Sequence, residues 1–344
     1  MASLLRGLSS RFLTPQPTGQ GFQKASDAAQ LFPKTDPAVD GEDCLHDCQT
    51  CTITYPRKFN IDEDDKLYGH VTGWNTHMVV ATGKTDWVRD VQDEKDSVMQ
   101  AVGKSKVQPT NGKMMLSASN MPVPDHSSTE TTVLLLPAFK YIDNVTPASV
   151  PDLIQSCIDQ GPTNTSPLKR VSQAPSDATN GDTDPHQEAE PVATTTIPTT
   201  LPAGLTMRNC PHKYLVLLCS HATRDARCGQ SAPLLRREFE RHLRPMGLYR
   251  DLDDERPGGV GIYFINHVGG HKYSANAMIY RRGATGQAGE EETEQEAAQC
   301  IWMARIKPAD VENLVRYTLL QGKMVDPQRQ LRGGFDRVRQ LTSW

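Results

Sequence analysis

Apolar positions along this chain fall into short runs of strand length separated by stretches of helical period, and the order of these runs occurs twice. In the first half, H-M-V-V-A-T-G (77–83) reads as a strand, and a helix is expected from about Thr85, with Trp87, Val88, Val91, Val98 and Met99 at imperfect 3.6-residue spacing. G-K-M-M-L-S-A-S (112–119) and T-V-L-L-L-P-A-F (132–139) are two more strands, and V-P-D-L-I-Q-S-C-I (150–158) is a closing helix. In the second half K-Y-L-V-L-L-C (213–219) is an apolar strand. Pro233 suits the first turn of a helix carrying Leu234, Leu235, Glu238, Phe239 and His242. Strands follow at 259–266, 275–280 and 300–306, and Pro308 opens a last helix with Val311, Leu314, Val315, Thr318 and Leu319 on one face.

The two closing helices share wording, T-P-A-S-V-P-D-L-I (146–154) against K-P-A-D-V-E-N-L-V (307–315). This order predicts a duplicated α/β unit, with A-T-G-K-T-D-W (81–87) in the first copy where the second has C-S-H-A-T-R-D (219–225). The first copy therefore lacks the second copy's cysteine. Between them, residues 162–204 are rich in Thr, Pro, Ser and Asp and carry too little apolar surface to offset the entropy of ordering, so they read as a disordered linker. A-T-G-Q-A-G-E-E-E-T-E-Q-E-A (284–297) reads as a solvated hairpin loop. The domain boundaries that follow are 42–161 and 205–325. After them R-G-G-F-D-R-V-R (332–339) is basic and glycine-interrupted, and 326–344 is expected as an unpacked tail.

With 344 residues, a formal charge of −4 and no basic patch interleaved with aromatics, the chain does not have the composition of a nucleic-acid binder. No apolar run approaches the roughly 20 residues that cross a bilayer, so no membrane span is expected. The 8 cysteines are not spaced as a secreted disulfide framework and point to metal and thiol chemistry in a reducing compartment. The first residues hold Arg6 and Arg11, several serines and no acid before Asp27, with Leu4, Leu5, Leu8 and Phe12 on one helical face. That is the pattern of a mitochondrial transit peptide, expected over 1–26. No G-x-G-x-x-G after a strand, no P-loop, no nucleophile elbow and no paired-carboxylate arrangement is present, so nothing marks a substrate-converting enzyme.

Candidate chemistry sits in two places. Cys219 and Cys228, in C-S-H-A-T-R-D-A-R-C-G, are followed by His267 and His271 in N-H-V-G-G-H-K-Y-S-A-N. Two thiolates and two imidazoles suit tetrahedral zinc or an iron–sulfur cluster of mixed ligation. The C-x8-C spacing is wide for a zinc knuckle and natural for a loop around a larger inorganic core. Gly269 and Gly270 let the backbone approach closely between the histidines, and with Lys272 they are expected to support the cofactor. The second place is D-C-L-H-D-C-Q-T-C, where Cys44, Cys48 and Cys51 lie close to His46 as redox thiols or metal ligands. Cys157 and Cys300 read as core thiols. Cys210 sits close to Cys219.

The pieces L-L-C-S-H-A-T-R-D-A-R-C-G (217–229), N-H-V-G-G-H-K-Y-S-A-N (266–276) and A-T-G-K-T-D-W-V (81–88) resemble the sucrase/ferredoxin-like family, and within it the altered inheritance of mitochondria protein 32 family. The resemblance covers about 42–160 and 205–325. It implies an α/β fold of two thioredoxin-like domains, the N-terminal one degenerate and the C-terminal one a thioredoxin-like ferredoxin. It also implies a [2Fe–2S] cluster with Cys219 and Cys228 on one iron and His267 and His271 on the other. The expected function is mitochondrial electron transfer or redox sensing, with a redox protein and the iron–sulfur assembly machinery as partners and a cytosolic pool possible. The alternative is a thiol–disulfide oxidoreductase or redox chaperone using Cys48 and Cys51, with structural zinc at the Cys2His2 site. The ending Q-L-T-S-W resembles, in part, the aromatic C-terminus that the cytosolic assembly machinery recognises. Trp344 fits that pattern, while Thr342 stands where an aliphatic residue is expected.

Overall fold

The computed structural model describes residues 21–125, 128–168, 196–283 and 296–344. The leader up to residue 20, most of the 162–204 linker and most of the 284–297 loop lie outside these residues. The helices are α1 (Ala28–Leu31), α2 (Pro37–Asp40), α3 (Val98–Lys104), α4 (Val150–Leu153), α5 (Ala226–Leu243), α6 (Val311–Asn313) and α7 (Pro327–Gln330). The strands of the first half are β1 (Gln23–Lys24), β2 (Thr76–Ala81), β3 (Met114–Ser119), β4 (Thr131–Leu136), β5 (Lys140–Val145) and β6 (Thr206–Asn209). Those of the second are β7 (Tyr214–Cys219), β8 (Tyr249–Arg250), β9 (Val260–Ile265), β10 (Ala277–Arg282), β11 (Ala297–Met303), β12 (Leu331–Asp336) and β13 (Leu341–Thr342).

All of them join one sheet of 13 strands, in the order β1-β13-β12-β11-β10-β7-β9-β3-β2-β4-β5-β6, with β8 beside β9. The duplication is visible in it. β3-β2-β4-β5 and β9-β7-β10-β11 are the same arrangement: a parallel pair, then two antiparallel strands. The closing helices repeat as well. Each runs from a 3-10 turn (Pro147–Ser149, Pro308–Asp310) through α4 or α6 into a π turn (Ile154–Ile158, Leu314–Leu319).

The halves do not stand apart as two domains. They meet where β3 pairs with β9 at Ser119 and Ile265. Two asparagines in equivalent positions staple this seam: Asn120 Oδ1 accepts from Phe264 N at 2.7 Å, and Asn266 Oδ1 accepts from Ala118 N at 3.0 Å. The physical reason lies in the apolar runs, which are buried on both faces. Val216 and Leu218 of β7 face α5, and Met78 and Val80 of β2 face α3 and α4. Their alternates Leu215, Leu217, Val79 and Ala81 share one core with Leu134, Ile265, Met278 and Trp302. Each such side chain contributes about 1.5–3 kcal/mol on burial, so this common face dominates the seam.

Several expected boundaries move. β6 lies within the expected second domain yet pairs with β5 of the first half. Residues 42–72, expected with the first domain, run along the second: Cys48 N donates to Ala309 O at 3.0 Å, Asp62 N to Lys272 O at 2.9 Å and Tyr55 Oη to Ile306 O at 2.8 Å. The expected leader ends inside the fold, because β1 pairs in parallel with β13 and Ala25 is buried. The expected helix after Thr85 is a loop holding one 3-10 turn, Val91–Asp93, and α3 begins only where the Ser97 side chain accepts from Gln100 N. α5 starts seven residues before Pro233, because Asp225 caps it by accepting from Arg227 N.

The unpacked tail is a clear correction. Residues 331–336 are the fully buried strand β12, and Gly334, at φ 150°, lies against the Cys300 carbonyl where a β-carbon would clash. The glycines that suggested disorder permit close approach of backbones. Trp344 then packs on Trp74, centroids 4.5 Å apart, in space that Gly73 leaves open.

Candidate metal centre

Three of the four expected ligands converge at the ends of second-half elements. Cys219 is the last residue of β7, Cys228 lies in the first turn of α5, and His267 follows β9 by one residue beyond Asn266. Asp225 fixes that turn, since its carbonyl accepts Cys228 N at 3.0 Å. His267 Nδ1 is 3.8 Å from Cys219 Sγ and 4.0 Å from Cys228 Sγ, and all three donor atoms lie within 4.8 Å of one another. His271 is outside this tight group. It sits on an exposed turn, His271–Tyr273, with its ring centroid 5.5 Å from that of His267.

The two sulfurs lie within 4.8 Å of each other and shift each other in opposite directions. Cys219 donates toward Cys228, which brings Cys228 down to about 5 against the opposing effect of burial, with His267 and Ser274 assisting. The same bond, burial and the Cys228 charge hold Cys219 well above the ordinary thiol range. Removing the second proton takes a cation, the usual linkage of thiolate ligands to metal binding. The backbone amides of Val268 and His221 act in the opposite direction and lower the Cys219 thiol, the direction that favours a thiolate ligand. The donor set, two buried thiols and an imidazole with their donor atoms within 4.8 Å of one another, fits a thiolate–imidazole metal group.

The first copy buttresses the ligand loop. Ser220 Oγ donates to Thr85 O at 2.7 Å, and Thr223 Oγ1 donates to Asp86 Oδ2 at 2.7 Å. His221, buried beneath the loop, donates from Nε2 to Trp87 O at 3.0 Å while its Nδ1 accepts His267 N–H at 3.3 Å. These two bonds fix the neutral tautomer and tie the His267 backbone to the ligand-free copy. On the other side Arg332 of β12 donates to Gly269 O at 3.0 Å and to Asn276 Oδ1 at 2.9 Å. Gly270, at φ 66°, is required here: a β-carbon would stand 2.6 Å from the Arg332 guanidinium. Lys272 points away, to Asp65 and Asp62 of the 42–72 segment, so its contribution is to pin the His271 turn.

Residues 67–333 match the sucrase/ferredoxin-like family. The chain belongs to that family. The sucrase/ferredoxin-like chain is 27% identical to actin patches distal protein 1 of Saccharomyces cerevisiae over 326 residues, 89% of this chain and 88% of that protein. It is 33% identical to altered inheritance of mitochondria protein 32 of Clavispora lusitaniae over 114 residues, and 32% identical to the protein of that name from Meyerozyma guilliermondii over 111 residues. These two matches span about a third of each chain, so the expected resemblance to that family holds over part of the length. No solved structure matches.

The N-terminal thiols of this sucrase/ferredoxin-like chain form a second, separate group. Cys48 Sγ is 3.9 Å from His242 Nε2, and with Glu312 the three donor atoms lie within 4.8 Å of one another. A cation already stands there: Arg241 Nη2 is 3.3 Å from Cys48 Sγ, 2.9 Å from His242 Nε2 and 2.7 Å from the buried Glu238 carboxylate. Cys44 is buried, His46 is exposed, and burial raises Cys51 above the ordinary thiol range. Cys157, Cys210 and Cys300 are packed in the core, each raised by burial. Sequence reading missed His221, Ser274, Asn276 and Arg332. His221 stood inside the C-S-H-A-T-R-D motif, and the repeat of T-D as T-R-D hinted at the contact between copies. Arg332 carried no local signal.

Proposed function

We propose that this protein is a [2Fe–2S] electron carrier or redox sensor, with Cys219 and Cys228 on one iron and His267 and His271 on the other. The observation that carries the reading is the meeting of Cys219, Cys228 and His267 at the ends of β7, α5 and β9, with His271 beside them on the solvent side. A single tetrahedral zinc needs its four donors within about 4 Å of one another; His271 stands outside the group of three, and a two-iron core has the longer reach that takes in a donor at that remove. Such a group supplies one-electron reduction at a higher potential than an all-cysteine cluster, because imidazoles replace two negative ligands. The chain's own residues do the rest. The buried cysteines keep water from the sulfur side, the loop 219–228 is held by the first copy, and the exposed His271 gives the edge nearest a partner and the place where a proton can follow the electron.

The repeated strand order supports two thioredoxin-like units fused into one sheet, the first serving as a wall. Mitochondrial residence is favoured by the names of the shorter matches and by the basic, acid-free N-terminus; a cytosolic pool rests only on the partial likeness of the ending Q-L-T-S-W. The thiol–disulfide alternative has less support, because burial keeps Cys51 as a thiol. Absorption and EPR spectra of anaerobically purified protein separate the two. A red-brown protein bleached by dithionite, with two irons per chain retained in the Cys44/Cys48/Cys51 triple serine variant and lost in Cys219→Ser, is the expected result. A colourless, zinc-loaded protein would refute it.

A further inference from the structure

Arg332 is 4% exposed, yet among the described residues no carboxylate lies within ion-pair distance of it. Its hydrogen bonds go to neutral oxygens, Gly269 O and Asn276 Oδ1, and its guanidinium lies over the Trp302 ring at 4.2 Å. The comparison within the same strand region is Arg337, which is as buried and meets Glu296 at 2.6 Å. A buried charge without a counter-charge is costly, and such a group is retained where a charge stands opposite it in the working state. Burial pulls the Arg332 guanidinium down to about 10, so it stays charged at neutral pH; the groups acting to keep it charged are the Tyr273 phenol and the Cys219 sulfur. Asn276 links the two sides, since its Oδ1 accepts from Arg332 and its backbone oxygen accepts Cys219 N–H at 3.1 Å.

We infer that Arg332 is the buried counter-charge of the metal centre, a positioning residue that favours its reduced form and so raises its reduction potential. The inference rests on the cluster reading above. Two ferric ions, two sulfides, two thiolates and two neutral imidazoles carry no net charge, and one electron from a donor protein makes the group singly negative. Arg332 gives up no proton in that step. It supplies a fixed positive charge in a dry site, where Coulomb interactions are weakly screened.

The test is a redox titration of anaerobically purified full-length protein, followed by the EPR signal of the reduced state. Arg332→Gln is expected to weaken reduction at least tenfold, about 59 mV for one electron, with iron content and oxidised spectrum unchanged. Arg332→Lys, which keeps the charge, stays within threefold of wild type. Should Arg332→Gln fail to fold, Asn276→Asp places a carboxylate against the guanidinium and is expected to lower the potential in the same direction. An iron-loaded Arg332→Gln or Asn276→Asp protein with the wild-type potential overturns the role of Arg332 alone. A wild-type chain that holds no iron overturns the cluster reading and this inference together.

Discussion

Replacing His221 by leucine tests whether the ligand-free copy holds the metal-binding loop. His221 is 1% exposed and satisfies two buried backbone groups in different halves of the chain, the Trp87 carbonyl and the His267 amide. Leucine fills a similar volume but offers neither donor nor acceptor. Each orphaned buried group costs about 1–3 kcal/mol, so the expected loss is about 3 kcal/mol. With a urea slope of about 3 kcal/mol per molar for a chain of this size, the midpoint falls by about 1 M at unchanged slope. Since His267 N is one of the released groups, iron is also lost faster to a chelator than from wild type. His221→Gln, whose amide can both donate to Trp87 and accept from His267, should recover more than half of each effect. A leucine variant whose midpoint stays within about 0.2 M of wild type, with the same rate of iron loss, would refute the coupling between the copies.

The metal-free protein should gain stability from about pH 5 to about pH 9, where the native thiol pair holds one proton fewer than the unfolded pair, and lose it above, where it holds one more. Urea midpoints of apo wild type and Cys228→Ser, compared across that range, check this; parallel profiles would refute the lowered Cys228 thiol. His77 is fully buried between Tyr280 Oη at 2.8 Å and Ser117 Oγ at 2.9 Å, and burial lowers it to about 3. Its contribution is complete above about pH 6.5 and is lost as pH falls toward 3, so His77→Gln should flatten the acid limb of the stability profile while lowering stability at pH 7. Deleting Trp344 removes its packing on Trp74, a loss of about 1–2 kcal/mol by urea unfolding. It should also lower iron content in cells while reconstituted protein loads fully, and equal iron content in native preparations with and without Trp344 would reject its use as a recognition signal.

The apolar runs at 77–83, 132–139 and 213–219 announced strands buried on both faces, but an apolar run carries no record of what covers it. For Leu215, Leu217 and Val79 the cover is the other half, which is why a repeat in sequence became one sheet instead of two domains. Cys219, Cys228 and His267 were legible because ligand chemistry restricts residue type. Arg332 was not, because its meaning comes from strand pairing 113 positions after Cys219, inside a glycine-rich segment whose composition resembles a tail. The helix at 226 was misplaced for a similar reason. Pro233 is a strong start signal, and the Asp225 cap, which outranks it here, looks like one more polar loop residue.

The pairing of β1 with β13 sets a timetable for synthesis. Gln23 and Lys24 have their strand partner only after Leu341 and Thr342 have been made, and the 42–72 segment waits for Lys272, Ile306 and Ala309. A ribosome-bound chain therefore carries an unclosed sheet, with Cys219, Cys228 and the histidines already emerged while Arg332 is still to come. Delivery of metal in that interval would meet the ligand loop before Arg332 takes its place against Gly269 and Asn276.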